Sequence, residues 1–190
     1  MESPCDPDQI VSLRVRGTML FWKRFSALSA AAALAASVVG ASPAIAQKPV
    51  TPRPGSAERT QILDAIRKDF SKDVRFIVHG LFVMKGRDAT FAYANVAPSK
   101  EESDGGEFIL EARGPGQKWR VIWSVRGGGT SDCDAAADYY RSVARYLEAR
   151  GVRVGDLNPT HEEELKNLTV SDGGCWTIGD LGPELPDAGD

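Results

Sequence analysis

The sequence predicts an α+β fold: a four-stranded antiparallel meander sheet packed by an N-terminal and a C-terminal helix. Three observations predict it. Residues 56–70 carry apolar side chains at helical spacing, residues 74–125 hold four short runs that alternate with period two, and residues 134–150 return to helical spacing. Strands joined by tight turns pair antiparallel, so the order helix, four strands, helix gives a sheet with helices packed on it.

Each element has its own local reason. Ser56 caps the first helix, and Ile62, Leu63, Ile66 and Phe70 form one stripe while Arg59, Lys68 and Asp69 face water. The first strand is Val74–Met84, with Gly80 as a bulge or break. The turn Lys85-Gly86-Arg87-Asp88 leads to Ala89–Ala97, which Pro98 stops. Glu107–Ala112 and Trp119–Val125 follow, joined through Gly114-Pro115-Gly116. The second helix runs from Asp134 to Arg150, presents Tyr140, Val143, Ala144 and Leu147, and ends at Gly151. Thr160-His161-Glu162-Glu163 is a capping box for a short helix reaching Leu168.

The alternation also predicts which face is covered. Trp119, Val121, Trp123 and Val125 are expected to point one way, together with Phe108, Leu110, Phe91 and Tyr93. Four strands at about 4.8 Å spacing are wider than one helix of about 10 Å, so both helices are expected side by side, or a second subunit beside one. The other face interleaves Arg75, Thr90, Glu107, Glu111, Arg120, Ser124 and Arg126 with Ile77, Ala92, Ala94, Ile109 and Ile122. Charged residues across strands form solvated ladders, but Arg75, Ala92, Ala94, Glu111 and Arg120 are also a candidate interaction platform for a protein partner.

The front of the chain reads as an export leader. Lys23-Arg24 precede an apolar stretch from Phe25 to Ala41, and Ala44-Ile45-Ala46 suits a signal peptidase, with cleavage between Ala46 and Gln47. The stretch is short and alanine-rich for a membrane span, and no stable anchor is expected after cleavage. Glu2, Asp6 and Asp8 do not suit a basic leader, so translation is expected to start at Met19. The chain thus divides into residues 1–46 (false start plus signal peptide), a proline-rich linker at 47–55, the α-ββββ-α domain at 56–151 and an acidic segment at 152–190. Export to the periplasm or beyond makes Cys133 and Cys175 a disulfide pair that ties that segment back. Such a loop is worth about 4 kcal/mol in chain entropy. The segment has net charge −7 against +3 for Gln47–Gly151, so it either stays solvated or lies over the weakly basic core.

Several chemistries lack their residues. A pI near 5.5 is not the basic footprint of a nucleic-acid binder. There is no Gly-x-Ser-x-Gly, and in His161-Glu-Glu-Glu-Leu165 a leucine stands where a zincin helix needs its second histidine. Gly127–Ser131 has neither the lysine of a phosphate loop nor a dinucleotide spacing, and Asp132, Asp134 and Asp138 fall short of a calcium loop. No catalytic residue, cofactor or metal ligand is therefore assigned.

The proline-rich start, Glu58-Arg59, Ile62-Leu63-Asp64-Ala65-Ile66-Arg67, Val74-Arg75-Phe76-Ile77-Val78 and Trp119-Arg120-Val121 resemble an uncharacterised family of small exported bacterial proteins. The resemblance covers about residues 54–125 and implies export and a helix-on-sheet fold, with no activity. Two functions remain open: a non-catalytic protein-interaction module, and a small-molecule binder or weak hydrolase with a pocket between helices and a curved sheet. A polar cluster built on His79 or on buried carboxylates favours the second, and a filled apolar interior favours the first.

Overall fold

A computed structural model of the protein describes residues 48–70, 73–100, 104–114, 116, 118–127, 132–170 and 179–186. The leader with Ala46 and Gln47, the glycine-rich residues 128–131 and Cys175 lie outside the described residues. Among the described residues no helix is long and apolar enough to cross a membrane.

The order is α1 (Ala57–Arg67), β1 (Phe76–Lys85), β2 (Thr90–Pro98), β3 (Gly106–Ala112), β4 (Arg120–Arg126), α2 (Cys133–Glu148), α3 (Val154–Leu157), α4 (His161–Val170) and β5 (Asp180–Leu181). The strands form one antiparallel sheet in the order β1-β2-β3-β4-β5. The caps expected at Ser56 and Gly151 are present, Asp132 adds one that the spacing does not predict, and at the expected Thr160 capping box the hydroxyl donates to Asn158 Oδ1 instead. Ser56 Oγ accepts from the Arg59 amide, Asp132 caps α2 through the Asp134 and Ala135 amides, and Gly151 follows α2 at φ +78°.

The sheet has five strands rather than four, because the C-terminal segment adds β5 to the β4 edge. Gly182 N–H donates to the Ser124 carbonyl, and the Tyr139 hydroxyl donates to the Pro183 carbonyl. Part of the acidic segment therefore lies against the sheet. Gly179 is needed for the approach: a Cβ there would overlap the Arg126 carbonyl.

The helices do not sit side by side as the strand alternation suggests. They cover opposite faces. Ile62, Ala65 and Ile66 of α1 pack on Leu81, Val83, Ala92, Ala94, Val96, Phe108, Leu110 and Trp119. Tyr140, Val143, Tyr146 and Leu147 of α2, with Val154 and Leu157 of α3, pack on Phe91, Tyr93, Ile109 and Trp123. Pairing explains the split. Ala92 stands opposite Leu110 and Ala94 opposite Phe108, so the small residues of β2 share a face with the large residues of β3. Phe91 and Tyr93 then fall on the other side.

On β4 the alternation is broken by an irregular register: Ile109 pairs Trp123, but Leu110 pairs Val121, which leaves Ile122 as the extra residue. Trp119 consequently packs with the α1 layer and Trp123 with the α2 layer. A second irregularity, between Val78 and Gly80, makes His79 the extra residue of β1 and leaves it exposed.

Candidate functional site

On its α2 side the sheet carries two polar groups among its aromatic residues, both centred on β3. Glu107 and Glu111 point to the same face, four residues and therefore about 13 Å apart. Their surroundings differ completely.

Glu107 lies beneath α4. Its Oε1 accepts from the Tyr93 hydroxyl at 2.8 Å and from Asn95 Nδ2 at 3.1 Å. Its Oε2 and Oε2 of Glu164 on α4 are buried with no well-aligned donor; the Asn158 amide beside Glu107 and the Tyr140 hydroxyl beside Glu164 are their weak hydrogen-bond partners. Burial first, and then the negative charge of Glu164, push the Glu107 carboxyl up to about 7. Protonated, Glu107 donates a hydrogen bond to Glu164 across the pair. Burial, reinforced by the neighbouring glutamates, also drives the Tyr93 and Tyr140 hydroxyls above the ordinary phenol range. Among the described residues no group of acidic, histidine or cysteine side chains is arranged to hold a metal ion.

The chain between α3 and α4 closes this cluster. Asn158 is fully buried, with Oδ1 accepting from the Thr160 amide at 3.1 Å and its hydroxyl at 2.9 Å. Its Nδ2 is buried beside the Glu107 carboxylate, to which it makes only a weak hydrogen bond. His161 is also buried, and its Nε2 lies 3.0 Å from the Tyr140 carbonyl. A carbonyl only accepts, so Nε2 carries the proton, and buried Nδ1 has no partner. The Tyr140 ring lies between the His161 ring at 5.3 Å and the Trp123 ring at 5.0 Å. Glu107, Asn95 and Glu164 are half-buried and Thr160 is exposed, so the cluster reaches solvent along one rim. Leu165 and Leu168, both partly buried, pack α4 against the core there.

Glu111 is fully buried at the other end of β3. Oε2 accepts from Arg120 Nε at 3.0 Å and Nη2 at 2.6 Å, and Oε1 accepts from the Tyr146 hydroxyl at 2.9 Å. Arg113 Nε lies 3.2 Å and Arg150 Nε 3.8 Å from Oε1. Burial pushes this carboxyl up, but hydrogen bonds from Arg120, Tyr146 and Arg113 outweigh it and hold Glu111 below the ordinary carboxylate value.

The five platform residues do not share a surface. Ala92 and Ala94 are 0% exposed under α1, Glu111 is enclosed under α2, Arg120 is half-exposed and ion-paired, and Arg75 is exposed ahead of β1. The platform rested on unbroken alternation over a sheet with one bare side, and both sides are covered. Cys133 opens α2, and its expected partner Cys175 lies outside the described residues. An open cleft of about 1200 Å³ at the Arg126 end of the sheet is lined by Asp69, Asp73, Arg75, Lys100, Asp104 and Arg126, all but Arg126 exposed. Solvated charges of both signs give it no defined chemistry.

Sequence reasoning missed Tyr140, Asn158 and Glu164 as parts of a site. One signal was available: His161, Glu164, Leu165 and Leu168 recur at helical spacing, which aims one glutamate of the Glu162–Glu164 run toward the core. No protein-family model, curated protein or solved structure matches the chain.

Proposed function

We propose that the protein is an exported small-molecule-binding domain whose polar cluster beneath α4 takes a ligand bearing an amine. The observation that carries this reading is the pair of neighbouring carboxylates of Glu107 and Glu164, whose buried Oε2 atoms have only weakly placed donors in the Asn158 amide and the Tyr140 hydroxyl. Two carboxylates in a half-buried site ask for a proton or for a cation that replaces it. An ammonium group supplies both the charge and several N–H donors, and Asn158 Nδ2 offers a donor to a neighbouring oxygen of the ligand. Buried carboxylates inside the helix–sheet layer favour binding over the interaction-module reading. That alternative is favoured by a filled apolar interior, and the α2 layer instead holds Glu107 and Glu164 beside its apolar residues.

The test is calorimetric titration of the purified protein with methylammonium, arginine and glucose at pH 6 and pH 8. The amines are expected to bind about tenfold more tightly at pH 8, where the ligand no longer competes with a proton on Glu107. Glucose is expected not to bind, and Glu107→Gln to abolish amine binding. Amine affinity that is absent, or equal in Glu107→Gln, overturns the reading.

Export and the Cys133–Cys175 bridge belong to the same proposal. Mass spectrometry of the protein recovered from an exporting cell is expected to give Gln47 as the first residue and a deficit of about 2 Da for one disulfide. A retained leader or a full thiol mass removes that part of the proposal.

A further inference from the structure

We propose that α4 is a lid whose closure over the sheet is set by one proton shared between Glu107 and Glu164. Glu107 rises from β3, Glu164 comes down from the first turn of α4, and the two carboxyls meet in the seam between helix and sheet. The Oε2 atom of each is buried there. Among the described residues neither carboxylate makes an ion pair. β2 supplies the Tyr93 hydroxyl and the Asn95 amide, and β4 places Val125 opposite Glu107. α2 supplies the Tyr140 hydroxyl, with His161 behind that ring, and the turn before α4 supplies Asn158. On α3, Asp156 is taken by Arg153, and on α4 Glu162, Glu163 and Lys166 are exposed. Two carboxylates in such a seam repel strongly when both are ionised, and one proton turns that repulsion into a hydrogen bond.

Of the two elements that meet at the pair, α4 is the one free to move. β3 is hydrogen-bonded along both edges, to β2 and to β4. The apolar hold on α4 consists of Leu165 and Leu168, both only partly buried, and of His161 at its start, whose Nε2 donates to the Tyr140 carbonyl. An ionised Glu164 suits the N-terminal turn of a helix, as do its neighbours Glu162 and Glu163. Only the approach to Glu107 penalises its charge. Ionisation of both carboxyls therefore drives α4 off the sheet, and a helix of 10 residues without its packing frays. The closed state holds the extra proton, so closure is full in acid and weakens as pH rises through about 7, where Glu107 gives the proton up. This switch needs no ligand. Its use as an entry gate rests on the amine-binding reading, in which an ammonium group takes the place of the proton.

Amide hydrogen exchange of the purified protein reads the lid, in amine-free phosphate or borate buffer at pH 5.5 and pH 8.5, corrected for the intrinsic pH dependence of exchange. Protection of the amides of residues 165–169 is expected to fall at least about tenfold between the two pH values. At pH 8.5 it should also lie at least about tenfold below that of Val143–Leu147 on α2, because the lid opens without the rest of the fold. Glu107→Gln and Glu164→Gln, each an uncharged copy of a protonated carboxyl, are expected to keep α4 protected at both pH values. Glu163→Gln, exposed in the same turn, should respond as the unmodified protein does. Protection of α4 that does not change with pH, that equals that of α2 at pH 8.5, or that still falls in Glu164→Gln overturns the lid. Methylammonium at pH 8.5 is expected to restore protection; pH-dependent opening without that restoration supports the lid and counts against the amine-binding reading alone.

Discussion

Glu107 and Glu111 share a strand and a face yet titrate in opposite directions. Both lose water; only Glu111 gains guanidinium donors. For Glu107 the folded-state value of about 7 lies above the ordinary 4.5, so the neutral form favours folding. Its contribution is full below that ordinary value and is lost as pH rises through about 7. Tm is therefore expected to fall between pH 5 and pH 8, and Glu107→Gln to flatten the fall, as read by thermal melts across that range. Glu111 works with the other sign: its depressed value stabilises the fold above the ordinary carboxylate range, and that contribution disappears as acid protonates it. Glu111→Ala strands buried Arg150 without a counter-ion, and urea unfolding is expected to show a loss of about 3–5 kcal/mol.

At the scale of elements, α1 and β5 set the sharpest tests. Ala94 is fully buried in the α1 layer opposite Phe108, so Ala94→Trp overfills that layer and is expected to destabilise by at least about 1–3 kcal/mol in urea. Were Ala94 on a bare platform, the cost would be near zero. Gly179→Ala places a methyl group against the Arg126 carbonyl and is expected to release β5, seen as faster hydrogen exchange of the Gly182 amide. Both helix ends, the four main strands and their turns were legible in the sequence, because Ser56, Gly151 and the Gly114–Gly116 turn act locally. The assignment of faces was not. Period-two alternation tells which residues oppose one another but not which side is covered, and here bulky residues occupy both. The extra residue at Ile122 then reverses the side of Trp119 relative to Trp123, and nothing in Arg120-Val121-Ile122-Trp123 announces it. β5 was invisible for another reason: two residues carry no periodicity. The Glu107 site depends on a contact between β3 and α4, far apart in sequence, so spacing alone could not assemble it.

Among the described residues, one sheet separates two apolar layers, and each layer is closed by helices from a different part of the chain. The edges of that sheet are treated unequally. On the outer side of β1, Val50 makes a single bridge to Val83, while Ile77 is 52% exposed farther along. On β4 the edge is met by Asp180–Leu181, more than fifty residues later. During synthesis from the N-terminus, β4 leaves the ribosome with hydrogen-bonding groups that its final neighbour cannot yet satisfy. Nascent chains stalled before residue 180 should for that reason be far more prone to mispairing than the released polypeptide.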